Sequence, residues 1–218
     1  MHDHAVIDRV AWPTSIRERR PSAQEKARFR EDGFVELPDL WTPPMSDALA
    51  QEAGRLFGEA VDPAGGPRIP VSSERRTGKV TRVATGSVIQ ELHASLGAYV
   101  RALSGQLLVG SLATYGYFPD DDGVILHRDG EATEIVVLTT ALGEVGPLSV
   151  RPELRGCSPD ELGTLESDPT WDRNGGQLVH YPTFGVAAVR GAALPHHRTA
   201  RSVPTLSAVA ALHYRSPY

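Results

Sequence analysis

The feature that most constrains this chain is a change of hydrophobic period at Gly105. Before it, apolar residues recur at the three- and four-residue spacing of amphipathic helices. After it, they fall into short alternating or wholly apolar runs of strand length. Ser87 to Leu103 carries Ile89, Leu92, Leu96, Tyr99 and Leu103 on one stripe, with Gly105 as its stop and His93 beside the stripe, structural or solvent-facing rather than a ligand. Downstream, strand-like runs cover residues 106–118, 123–127, 133–142, 177–181, 185–190 and 206–215, and another starts at 146–150. Turns such as Pro119-Asp120-Asp121-Asp122-Gly123 and Asn174-Gly175-Gly176 separate them. Helices early and about seven short strands late specify an α+β chain. The late block must close its sheet edges against one another, as a sandwich, barrel or jelly roll does.

The first hundred residues supply the helices. Ser22-Ala23-Gln24-Glu25 reads as a capping box opening a helix that runs to about Asp32 and stops at Gly33. Phe34 to Leu37 is a short strand ended by Pro38, and Ser46 to Phe57 is a second helix. Residues 1–20 are expected to be loosely ordered. Residues 62–79, rich in Gly, Pro, Ser and Arg, are expected to form a long loop, either a lid over a site or a disordered insertion. No repeat or linker divides the chain, so residues 1–218 are expected to form one domain. The net charge is −5 and there is no basic tract, which argues against nucleic acid as a partner. Cys157 is the only cysteine, so no intrachain disulfide can form. With no long apolar run at the N-terminus or elsewhere, the expected location is the cytoplasm, without a membrane span.

Two stretches carry chemistry. Val124-Ile125-Leu126-His127-Arg128-Asp129-Gly130 leaves an apolar run with an imidazole and a carboxylate two residues apart. In a regular strand those residues share a face and can grip one cation. Leu194-Pro195-His196-His197-Arg198-Thr199 offers two more imidazoles. Two His and one carboxylate on one side of a metal are the facial triad of non-haem Fe(II) oxygenases. Chemistry alone leaves open which of His196 and His197 completes it. Glu134, a few residues past Asp129, admits a second reading, a cupin-like metal site with His127, Asp129 and Glu134 as ligands and no cosubstrate.

Four motifs in order strengthen the first reading. They are Phe29-Arg30-Glu31-Asp32-Gly33-Phe34-Val35-Glu36-Leu37-Pro38, then His127-x-Asp129 followed by the aliphatic Ile135-Val136-Val137-Leu138, then Gly146-Pro147-Leu148-Ser149-Val150-Arg151-Pro152, and finally His197-Arg198. In this order, over roughly residues 29–215, the chain resembles the Fe(II)/2-oxoglutarate-dependent oxygenase superfamily, and most closely its phytanoyl-CoA dioxygenase-like branch.

The resemblance implies a double-stranded β-helix (jelly roll) core flanked by N-terminal helices. It implies Fe(II) held by His127, Asp129 and His197, with 2-oxoglutarate as cosubstrate. O₂ would react to give succinate, CO₂ and an Fe(IV)-oxo species that attacks a small substrate such as an amino acid or secondary metabolite. Asp129 stands where halogenating relatives lack a carboxylate, so the implied reaction is hydroxylation, desaturation or cyclisation. The family usually carries an arginine about ten residues beyond the distal His to hold the far carboxylate of 2-oxoglutarate. Here that position is Ser207, and the nearby arginines are Arg190, Arg198, Arg201 and Arg215. The expected cosubstrate contacts are therefore Arg201, Ser207 and the phenol of Tyr115. Tyr117, Arg82 and Arg151 are the expected substrate contacts, the arginines because their forks match carboxylates. Trp171 is expected to cap the pocket or bury a loop.

Overall fold

The computed structural model describes residues 14–60, 82–118, 123–130, 133–182, 184–199 and 206–218. Its helices are α1 (Thr14–Glu18), α2 (Ala23–Glu31), α3 (Pro43–Leu56), α4 (Ser87–Ser104) and α5 (Pro159–Ser167). Its strands are β1 (Phe34–Leu37), β2 (Arg82–Ala84), β3 (Val109–Phe118), β4 (Val124–His127), β5 (Ile135–Leu142), β6 (Leu148–Val150), β7 (Gln177–Val179), β8 (Val186–Val189), β9 (His196–Arg198) and β10 (Ser207–Arg215). They form two antiparallel sheets, ordered β1-β8-β5-β10-β3-β2 and β4-β9-β6-β7.

The helices start and stop where local chemistry dictates. Ser22 and Glu25 form the expected capping box, and Ser158 and Glu161 form a second one that opens α5. Gly105 closes α4 in the left-handed conformation, φ 72°, which suits a residue without a side chain. The other end of α4 lacks a capping side chain, because its cap residue is Gly86. Glu52 of α3 fills that role from a neighbouring helix. Its buried carboxylate accepts from the Val88 and Ile89 amides at 2.9 and 3.1 Å and from the Tyr115 hydroxyl at 2.7 Å.

β5 shows how the layers are arranged. Ile135 and Val137 pack into the cluster that holds Leu49, Ala53, Ile89 and Leu92 of the helices. Val136 and Leu138 point the other way, onto Leu148, Val150 and Val179 of the smaller sheet. Both faces of the strand are buried, which is why its sequence is a continuous apolar run rather than an alternation. The helix-facing layer depends on the α4 stripe: Leu92→Ala would open a cavity costing about 2–5 kcal/mol.

Most expected elements are present, with the bounds given above. Three are new. The segment taken as loosely ordered contains α1, whose Ile16 is buried. α5 occupies the connection after Cys157. His196–Arg198, outside the strand-like runs expected from the sequence, is a strand. The expected lid at 62–79 and residues 1–13 lie outside the described residues. Among the described residues, no helix is long and apolar enough to cross a membrane.

Candidate metal centre

The smaller sheet builds the site. β4 and β9 pair antiparallel with Val124 opposite Arg198 and His127 opposite His196. This register stands two imidazoles side by side, edge to face, with ring centroids 4.4 Å apart. Asp129 lies just past the end of β4, anchored by its amide, which donates to the Gly191 carbonyl at 3.0 Å. Its Oδ1 is 3.7 Å from His127 Nε2 and 3.8 Å from His196 Nε2. One ligand atom from each of the three residues falls within 4.8 Å of the others.

Backbone contacts fix the histidine tautomers. Nδ1 of His127 lies 2.8 Å from the Ile125 carbonyl, and Nδ1 of His196 lies 2.8 Å from the Leu194 carbonyl. A carbonyl only accepts, so each Nδ1 carries the proton and each Nε2 presents a lone pair. Two lone pairs and a carboxylate oxygen thus converge on one point, and they repel one another unless a cation stands between them. Asp129 Oδ2 is buried with no hydrogen-bond partner among the described residues. These donors fit a divalent transition metal bound on one side by two imidazoles and one carboxylate, its other positions open.

The protonation states agree. Burial pushes the Asp129 carboxyl upward, but His127 and His196 outweigh it and hold the group down at about 2. Burial, with the nearby His127 second, drives His196 down to about 4, so its ring is neutral and able to ligate at ordinary pH.

His197 does not join this group. Neighbouring residues of a strand point to opposite faces. His197 therefore turns outward, its Nε2 donating to the Arg173 carbonyl at 2.7 Å and its ring edge-on to Trp171 at 5.2 Å. The group with His127 and Asp129 thus contains His196, where the resemblance implies His197. Leu194 held the missed signal: it is buried between the sheets, and residues two apart share its face, which selects His196 and Arg198.

Other expected contacts are also displaced. Tyr115 and Tyr117 face the helices rather than the space between the sheets, the Tyr115 hydroxyl on Glu52 and the Tyr117 hydroxyl on the Ala53 carbonyl at 2.7 Å. Each phenol found a partner in the helical layer, so neither reaches the metal side. Arg151 lies on the outer face of the smaller sheet. It pairs with Glu153, donates to the Asp172 carbonyl at 2.8 Å and stacks 5.1 Å from the centre of the Trp171 ring. Trp171 therefore covers the outside of β9, against His197 and Arg151, rather than the inner space. Arg82 is in β2, opposite Tyr117. Arg201 lies outside the described residues. Glu134, the ligand of the cupin-like reading, accepts from the Ser216 amide at 3.0 Å and is not in the cluster.

Ser207 is fully buried on the inner face of β10, the face that also carries Val209, Ala211 and His213, and its Oγ is 3.5 Å from the Phe118 carbonyl. Two residues gain weight. His213 places Nδ1 3.2 Å from the Thr133 hydroxyl, close enough to Asp129 that the carboxylate partly offsets the downward pull of burial on its pKa. Arg198, 2% exposed, lies with its guanidinium carbon 3.8 Å from the centre of the Phe118 ring.

No protein-family model matches the sequence, and no curated protein matches it. Solved structures do. The chain is similar to HygX from Streptomyces hygroscopicus with nickel and 2-oxoglutarate bound (16% identity, 91% of this chain and 88% of that chain, TM-score 0.65). It is similar to the non-haem α-ketoglutarate-dependent epimerase SnoN from nogalamycin biosynthesis (16% identity, 88% and 82%, TM-score 0.64). It is also similar to a prolyl hydroxylase from Trichoplax adhaerens in complex with a peptide fragment of hypoxia inducible factor (13% identity, 87% and 86%, TM-score 0.63). These neighbours do not single out a phytanoyl-CoA dioxygenase-like branch. At such identities the likeness establishes architecture: the chain has the jelly-roll fold of Fe(II)/2-oxoglutarate-dependent oxygenases.

Proposed function

We propose that the protein is a non-haem Fe(II)- and 2-oxoglutarate-dependent oxygenase that oxidises a C–H bond of a small molecule, such as an amino acid or a secondary metabolite. The observation that carries this reading is the convergence of the His127 and His196 Nε2 lone pairs on Asp129 Oδ1. It is supported by the fold shared with HygX, whose structures hold nickel, 2-oxoglutarate and hygromycin B, and with SnoN.

His127, Asp129 and His196 would hold the metal. Bound iron with 2-oxoglutarate would supply the oxidising equivalent, O₂ being reduced at the expense of 2-oxoglutarate, which would leave as succinate and CO₂, and of a C–H bond of the substrate. The protein's own contribution is preorganisation. The Ile125 and Leu194 carbonyls hold both imidazoles in the ligating tautomer, and the apolar residues between the sheets keep water out. Asp129 fills the position a halide would need, so the reading favours hydroxylation, desaturation or cyclisation over halogenation.

Anaerobic addition of Fe(II) and 2-oxoglutarate to the purified protein is expected to give a weak visible charge-transfer band. Admission of O₂ should then release succinate. Absence of both would exclude the assignment.

A further inference from the structure

We propose that the metal-side face of β3 and β10 is a shelf for a small acid with an apolar body, Leu112 and Val109 carrying the body and Arg215 holding the acid group. The inference rests on the oxygenase reading above and deepens it, because it names the class of substrate.

The three metal-binding side chains come from β4, the turn after it and β9, all on the smaller-sheet side. The side they leave open faces the larger sheet. There a row of register partners crosses three strands: Val136 on β5, His213 on β10 and Leu112 on β3. Residues opposite one another on neighbouring strands share a face. Val136 belongs to the cluster between the sheets, so Leu112 shows its side chain to that same side. His213 sets the row beside the metal centre, since its ring lies near enough to Asp129 for the carboxylate to act on it.

Burial falls off along the row. Val136 is 3% exposed, His213 is half-buried and Leu112 is 36% exposed. The next row outward pairs Arg215 with Val109. Arg215 is two residues beyond His213, hence on the same face of β10 and about 7 Å further along. The irregularity in this pairing adds Ser111 on β3, so β10 keeps its alternation and Val109 follows Arg215 to the metal side. Val109 is 38% exposed.

Two apolar side chains exposed on one face beside a metal centre form a surface that gains from an apolar ligand. The charge next to them sets the rest of the ligand. Arg215 is exposed and makes no hydrogen bond or ion pair among the described residues. Glu134, at the near end of β5, keeps its carboxylate on the Ser216 amide at 3.0 Å. The guanidinium is therefore available to an anion, and its fork matches a carboxylate. A sugar or a polar amino acid would leave Leu112 and Val109 uncovered.

Calorimetry on protein loaded with redox-silent Zn(II) and 2-oxoglutarate tests the shelf without turnover. The probes are 4-phenylbutanoate, 4-phenylbutan-1-ol, which has the same body and no charge, and butanoate, which has the charge and no ring. 4-Phenylbutanoate should bind about fivefold more tightly than the alcohol, as an exposed ion pair provides. It should bind at least about tenfold more tightly than butanoate, as burial of a ring provides. Leu112→Gln and Val109→Gln should each weaken 4-phenylbutanoate by about fivefold and leave butanoate unchanged. Arg215→Gln should bring the acid and the alcohol to the same affinity. In all three variants the affinities for Zn(II) and 2-oxoglutarate should stay at the wild-type level and report an intact fold. Wild-type protein that binds Zn(II) and 2-oxoglutarate but none of the probes, or butanoate as tightly as 4-phenylbutanoate, overturns the shelf. Variants that keep the wild-type preferences overturn it too. Protein that takes up Zn(II) but not 2-oxoglutarate overturns the oxygenase reading, and the shelf's role as a substrate site with it.

Discussion

Gly191 faces the Asp129 carboxylate so closely that a methyl group there would stand 1.8 Å from Oδ2. The same glycine accepts the Asp129 amide through its carbonyl, so one residue sets both the backbone and the side-chain position of the carboxylate. Asp129 lies beyond the end of β4, and this contact does what the strand ladder no longer does. Gly191→Ala should therefore displace the carboxylate and weaken Zn(II) binding by about 10- to 100-fold, as loss of a ligand's positioning support does. Overpacking should add a stability loss of about 1–3 kcal/mol. Calorimetric metal titration and urea unfolding would measure both effects, and unchanged metal affinity would mean the carboxylate does not depend on this contact.

The two adjacent histidines should separate cleanly. His196→Ala should lower metal affinity by more than about 100-fold, exceeding the effect of losing an outer contact. His197→Ala should leave metal affinity within about threefold while costing about 1–3 kcal/mol of stability, since a buried ring is removed from between Arg173 and Trp171. Metal titration of the two variants in parallel checks this, and the reverse pattern would return the ligand role to His197.

Metal-free protein should lose stability on mild acidification. Folded His196 titrates at about 4, below the 6.5 of an exposed imidazole. Between those values the unfolded chain binds a proton that the folded chain does not, so unfolding free energy falls as pH drops from about 6.5 to about 4. The full shift is worth about 3 kcal/mol. Burial shifts His93, His197 and His213 in the same direction, and they add to the effect. Urea unfolding at a series of pH values across this window would show the decline; a flat profile would contradict the burial of these rings.

Tyr115 and Glu52 should act on stability and not on cosubstrate. Tyr115→Phe removes one hydrogen bond to Glu52 and should cost about 1 kcal/mol. Affinity for 2-oxoglutarate should remain within about twofold, because the ring faces the helices. Glu52→Ala strips two amides of α4 and the phenol of their acceptor and should cost about 3 kcal/mol or more. Thermal unfolding with calorimetric titration of 2-oxoglutarate separates the two effects. A large loss of cosubstrate affinity in Tyr115→Phe would place the phenol at the site after all.

Much of this architecture is legible in the sequence because it is written in local periods. The α4 stripe, the capping box at Ser22 and the doubly buried run Ile135–Leu138 each follow from neighbours a few residues apart. The Ser158 capping box is equally local, Ser158 and Glu161 standing three residues apart. Local pattern also marked His127 and Asp129, since an apolar run ending in an imidazole and a carboxylate is visible in one dimension.

Tertiary structure decided which side each strand shows to the site. β9 is three residues long and consists of His, His and Arg, so it has no apolar alternation of its own to set its phase. Its pairing with β4 and β6 turned His196 and Arg198 inward and His197 outward. On β3 the alternation was visible, but a helical layer and a facing sheet both offer burial. Only the position of Glu52 and Ala53 drew Tyr115 and Tyr117 to the helical side. The sequence by itself thus determined which residues could hold a metal and that His127 closes a short apolar strand. Which of them meet was settled by register, because a shift of one residue sends every side chain of a strand to the opposite face.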